Sequence, residues 1–401
     1  MWSSTSVVRR ISLALAVLAI AVAGPTPSTT AGVRNEKTLF KSQPLEWDPD
    51  FRRDGAVATL RFTRAWVFGG FHAPLAGDPV SCAGLLVAAS QDGGLAALHP
   101  SGGDPSWTTR LPAGLSVGPV SLAGRIYQAT RDGRLFAVDG RDGTVLWSAD
   151  LGAAALFPPR AIAGRLLIAT ADQALLALDP EDGGVRARRP LPGAASAPPE
   201  PAPGSILVGT EHGMVLALEE TRLLVRWRRY LAHPITAPPL FSKGRVYVAS
   251  ADRAFRSLRF RNGRPLWTVR IGAMATARPF ALGPWLYLLC YDNDIYVLRA
   301  RSGHLMTRVR LGHRLDATPA LTDTHLFVVP FTEAALVGLT LPGLQAAGKY
   351  ALDVPGEWFT TSPVLIDGRL AVGYGRTEGK VIALEVTTEA PKGKGSNDGV
   401  S

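Results

Sequence analysis

The sequence predicts an all-β protein folded as an eight-bladed propeller of four-stranded blades, and three observations lead there. Equivalent prolines stand at Pro79, Pro119, Pro159, Pro199, Pro239, Pro279 and Pro319, forty residues apart, with Pro363 following after four inserted residues. An acidic turn and a tryptophan recur in phase with that proline. The composition, Gly 42 and Pro 31 with 19% charged residues, supplies turns rather than long helices. At 401 residues and 46% hydrophobic content the chain can bury a large core. Length alone would suggest two or three domains, but self-similarity on this scale marks a propeller or solenoid.

Each repeat divides into four strands. Five residues after the proline a glycine recurs as Gly84, Gly124, Gly164, Gly204, Gly244 and Gly368, with Pro284 and Thr324 in its place elsewhere. It marks a tight turn between the first two strands. The second strand is a short β-branched and aromatic run such as Arg245-Val246-Tyr247-Val248. It ends thirteen residues past the proline at an acidic turn, Asp92, Asp132, Asp172, Asp252 or Asp292, varied by His212. Asp-Gly between apolar runs is a strong hairpin signal. The third strand closes on a small and an aliphatic residue, as in Ala97-Leu98, Ala137-Val138 and Ala383-Leu384. A second glycine turn (Gly103, Gly143, Gly183, Gly263, Gly303, Gly343) leads to a fourth strand carrying Trp107, Trp147, Trp227 or Trp267. Four strands in forty residues make one blade.

The ends decide the blade count. The eighth repeat has no fourth strand of its own, while Arg64-Ala65-Trp66-Val67-Phe68 upstream is an orphan tryptophan strand. We expect it to complete the last blade and remove an exposed edge. The count would be seven if the degenerate stretch from Thr322 to Glu357 formed no blade. Arg9-Arg10, thirteen mostly apolar residues from Ile11 to Ala23, and Ala21-Val22-Ala23 before Gly24 match the zones of a secretory signal. An uncleaved anchor is the alternative. The expected organisation is a signal over 1–23, a linker over 24–59, the propeller over 60–386 and a disordered Lys/Gly/Ser-rich tail over 387–401. Cys82 and Cys290 are the only cysteines, so none follows the signal as a lipoprotein requires. They stand at different offsets in the first and sixth repeats, as two buried thiols would.

Arg125 to Trp147, RIYQATRDGRLFAVDGRDGTVLW, is the cleanest copy of the repeat. It resembles the pyrroloquinoline-quinone-like (quinoprotein) propeller repeat, and the resemblance covers about residues 60–386. One branch, the quinoprotein alcohol and sugar dehydrogenases, implies a quinone and calcium in the central channel, inserted loops and often a disulfide between adjacent cysteines. This chain has no adjacent cysteines and little room for such loops. The other branch, the outer-membrane assembly factor BamB type, implies an exported eight-bladed scaffold without catalysis, and the chain is similar to it in length, export signal and closure.

The residues themselves suggest little chemistry. The five aspartates fall at one level of the ring, but aspartate bonds its own backbone in a turn and needs no metal there. The seven histidines show no zinc spacing, and no nucleophile elbow or phosphate loop occurs. No catalytic residue, metal or cofactor is therefore assigned, and Trp66, Trp107, Trp147, Trp227 and Trp267 are expected to pack between blades. Charge is the feature the repeat does not dictate. From Glu220 to Leu315 there are 18 Arg and Lys against 4 Asp and Glu, +14 of the chain's +10, leaving −4 elsewhere. Arg222, Arg226, Arg228, Arg229, Arg253, Arg256, Arg259 and Arg261 are its densest part. We expect this arc to be the docking face of a monomeric propeller for an acidic protein surface, with anionic lipid or glycan as alternatives. The export signal and sparse aromatic interleaving argue against nucleic acid.

Overall fold

The computed structural model describes residues 58–389, apart from 312–314, 316 and 331–333. The proposed signal, most of the linker, the end of the tail and His313 lie outside the described residues. Eight four-stranded antiparallel sheets follow one another along the chain, the fourth strand of the last being Thr59–Phe68. Blade 2 is representative, with strands Val120–Leu122, Arg125–Ala129, Arg134–Asp139 and Val145–Asp150. The stretch from Thr322 to Glu357 does form a blade, through Ala320–Leu321, His325–Val328, Ala335–Thr340 and Ala346–Ala351.

Position in the blade explains the residue pattern. The second and third strands are covered on both faces by neighbouring blades, so Arg165–Thr170 and Ala174–Leu178 are buried almost throughout and their sequences are continuous apolar runs. Outermost strands are covered on one face only. Pro105–Arg110 therefore alternates, with Trp107 buried between exposed neighbours. Eight apolar clusters result, each shared by two adjacent blades. One of them joins Trp66 and Val381 of blade 8 to Leu86 and Leu98 of blade 1, so the ring is closed.

Thr59–Phe68 pairs antiparallel with Lys380–Glu389 through nine residue pairs, from Thr59 opposite Glu389 to Phe68 opposite Val381, with a bulge between Arg64 and Trp66. This corrects the predicted tail. Thr387, Thr388 and Glu389 are strand residues, because Thr59, Leu60 and Arg61 offer them a partner edge.

The tryptophans tie blade to blade. The indole N–H of Trp66 donates to Pro100 O (2.8 Å), Trp107 to Gly140 O (3.0 Å), Trp147 to Pro180 O (3.2 Å), Trp227 to Phe260 O (2.6 Å) and Trp267 to Ala300 O (3.1 Å), each in the following blade. The same ring covers that blade's turn glycine. At Gly103, φ is +78° and a Cβ would stand 2.5 Å from Trp66, so both conformation and space demand glycine. Blades that lack the tryptophan solve the gap differently. Ala187 stands in the tryptophan position of blade 3, and Leu223, fully buried at φ +56°, replaces the glycine of blade 4. Thr307 and Leu344 repeat the exchange between blades 6 and 7. The left-handed residue of that turn is thus Leu344 and not Gly343, a correction to the glycine pattern read from sequence.

Candidate functional site

Antiparallel order sends the turns of a blade alternately to the two ends of the ring, and this divides the arginine arc. Arg222 lies in the turn before the fourth strand of blade 4, while in blade 5 Arg259 ends the third strand and Arg261 lies in the matching turn that follows; all three are exposed. Arg253 and Arg256 belong to the opposite end, around the acidic turn of blade 5. A six-residue strand separates the ends, about 20 Å at ~3.3 Å per residue. The eight arginines therefore do not form one face, which corrects the single docking face expected from sequence.

Two of them are engaged within the molecule. Arg256 pairs with Asp252 at 2.5 Å, and both side chains are largely buried (15% and 12% exposed). Arg229 donates from Nε to Gly263 O of the next blade at 2.9 Å. What remains on the rim is a stripe along the outermost strand of blade 4, Val225–Tyr230. Trp227 and Arg229 turn toward blade 5, whereas Arg226, Arg228 and Tyr230 share the other, exposed side, with Leu224 just before them.

The recurring aspartates are held within their turns. Asp92, Asp132, Asp172 and Asp252 each accept from a hydroxyl two residues earlier, Ser90, Thr130, Thr170 and Ser250, at 2.5–2.6 Å. Burial alone would raise the Asp252 carboxyl, but Arg256, the Ser250 hydroxyl and the Ala254 N–H outweigh it and hold the pKa down to about 2. In blade 6 Cys290 replaces the hydroxyl residue, and Asp292 accepts instead from Tyr296 O–H at 2.5 Å. Among the described residues no three His, Cys, Asp or Glu side chains gather as metal ligands would. Cys82 and Cys290 are free, buried thiols in blades 1 and 6.

A second site lies where the innermost strands begin, in a cavity of about 400 Å³ on the central channel. Its walls come from blades 1, 3, 4, 5, 6, 7 and 8, through residues next to the repeat proline. Glu200 of blade 4 lies in its wall, 4% exposed, accepting from Arg160 Nη2 of blade 3 at 3.1 Å and Arg278 Nη2 of blade 6 at 2.6 Å. The second contact passes over blade 5. Asp78 of blade 1 accepts from Ser362 N–H at 2.7 Å, which joins the first and last blades at the same level.

The family described as outer membrane protein assembly factor BamB matches residues 47–201 and 193–306. The chain belongs to the BamB family. Among solved structures, BamB from Moraxella catarrhalis is similar over 81% of this chain and 98% of its own, at 18% identity and a TM-score of 0.67. The computationally designed Ika8 protein aligns over 79% and 98%, at 14% identity and 0.68. Quinohemoprotein alcohol dehydrogenase from Comamonas testosteroni aligns over 80% and 76%, at 13% identity and 0.65. At such identities these likenesses carry the fold alone. No curated protein matches by sequence.

The channel residues of this BamB-family ring escaped the sequence reading, although a signal existed. The position after the repeat proline is apolar in Val80, Val120, Leu240, Phe280, Ala320 and Val364, and charged only as Arg160 and Glu200.

Proposed function

We propose that the chain is a non-catalytic, exported scaffold of the bacterial cell envelope which holds an acidic protein surface during outer-membrane protein assembly. Membership of the BamB family supports the assembly setting. The observation that carries the docking mode is the outermost strand of blade 4, where Arg226 and Arg228 are exposed beside Leu224 (54% exposed) and Tyr230 (63%). The strand has one free edge, and a basic stripe flanked by apolar groups suits an acidic partner with an apolar anchor. Arg222 and Arg261 in the adjacent turns, with Arg259 at the strand end beside them, extend the positive field.

The test is charge reversal at the free positions. Arg226→Glu with Arg228→Glu should lower crosslinked capture of the envelope partner at least tenfold while the thermal midpoint stays within about 2 °C, since exposed substitutions act weakly on stability. Undiminished capture by the double variant overturns the docking mode. Arg256→Glu is a poor substitute, because it breaks the pair with Asp252 and confounds docking with folding.

A further inference from the structure

The Arg160–Glu200–Arg278 group answers no need of the repeat. Six blades place an apolar side chain after the proline, and a buried carboxylate is costly unless it is paired. Here one carboxylate meets two guanidiniums, at 3.1 and 2.6 Å, so the group is left with one net positive charge at the wall of the channel. Each guanidinium has five N–H donors in a fork that matches planar carboxylates and phosphates. Arg160 and Arg278 are 35% and 42% exposed, open to the cavity, whereas Glu200 is 4% exposed behind them.

Two further polar groups stand on the same wall. The Ser196 and Thr276 hydroxyl oxygens are buried without a hydrogen-bond partner. They come from equivalent positions in blades 4 and 6, the blades that supply Glu200 and Arg278, and both residues line the cavity. Buried polar groups are ordinarily satisfied, and two orphans beside a cationic pair mark a place where a polar ligand completes the bonding. Asp78 also lines the cavity, where its Oδ1 accepts from Ser362 N–H; its charge balances the lining as a whole, so anion recognition rests on the local pair of guanidinium forks.

We propose that this cavity binds a small oxyanion, a carboxylate or phosphate group, through Arg160 and Arg278. Glu200 is the internal carboxylate held by the same two guanidiniums, and the Ser196 and Thr276 hydroxyls, buried just behind the lining, become neutral donors by turning toward the anion. A cavity of about 400 Å³ admits a dicarboxylate or inorganic phosphate, whereas a folded partner is excluded. The site is independent of the blade 4 rim, and the two readings can fail separately.

The intact chain is titrated calorimetrically with succinate and with inorganic phosphate, sodium chloride holding the ionic strength constant. We expect saturable binding of one or both, succinate alone showing carboxylate selectivity and both showing general oxyanion recognition. Glu200→Gln should tighten binding at least tenfold by removing the competing charge, and Arg278→Gln should weaken it at least tenfold. Arg226→Glu with Arg228→Glu should leave it unchanged. Circular dichroism checks the fold, and if Glu200→Gln does not fold, the comparison of Arg278→Gln with the parent decides alone. No saturable heat with either anion, or equal affinity in Arg278→Gln, overturns the proposal.

Discussion

Between blades 3 and 4 the ring is sealed by Leu223 where five other junctions use tryptophan over glycine, and the exchange shows how tightly two residues some 35 positions apart are matched. Ala187, partly buried, packs against the cluster that contains the fully buried Leu223. Ala187→Trp alone should cost about 1–3 kcal/mol through overpacking. Leu223→Gly alone should cost about 2–4 kcal/mol through the cavity it leaves. Combined, they recreate the pair seen as Trp147 over Gly183, and urea unfolding should show most of the loss recovered. At Asp252 the prediction concerns pH. Its folded pKa of about 2 lies below the ordinary 3.8, so the stabilisation is fully present above about pH 4 and is lost as pH falls toward 2. Asp252→Asn should lower stability at pH 7 by on the order of 1–3 kcal/mol, since it leaves the largely buried Arg256 without its carboxylate, and should flatten the acid dependence between pH 4 and 2. The recurrence of Trp and Asp was legible because identical environments repeat every forty residues. The partner of each indole was not, because it lies in the next blade.

At the level of the strand, Lys380–Glu389 is the longest element together with its partner Thr59–Phe68. A chain ending at Val386 removes the residues opposite Thr59, Leu60 and Arg61, of which Leu60 is buried against blade 7. The urea midpoint should fall by an amount equivalent to about 1–2 kcal/mol, whereas ending the chain at Glu389 should leave it unchanged. Thr387 to Glu389 lack an apolar run and sit beside the Lys/Gly/Ser-rich end of the chain, so local composition concealed them. Their strand state comes from an edge more than three hundred residues away in sequence. The continuous apolar runs of the second and third strands were legible for the opposite reason, since burial on both faces is written into every residue.

Across the whole molecule the charge count separates sharply from charge placement. The segment from 220 to 315 carries +14, yet the fold distributes its arginines between two ends of the ring, the rim, the channel and internal pairs. The long-range field survives this division, but the contact surface is narrower. Partner capture should therefore fall steeply between low salt and about 0.5 M sodium chloride, where charges beyond roughly 4–5 Å are screened. Capture that is insensitive to salt would mean that Leu224 and Tyr230, not the arginines, dominate the contact.

The propeller fold was determined by the sequence alone, because a recurring repeat presents the same turn, strand and packing demands again and again, and one ring satisfies them all; that the degenerate seventh repeat forms a blade was decided by the structure. Tertiary structure decided which arginines remain free, what fills a junction without tryptophan, and that Arg160, Glu200 and Arg278 meet in the channel. These are relations between blades. Arg278 and Glu200 lie 78 residues apart with a complete blade between them, and only the curvature of the closed ring brings their charges together.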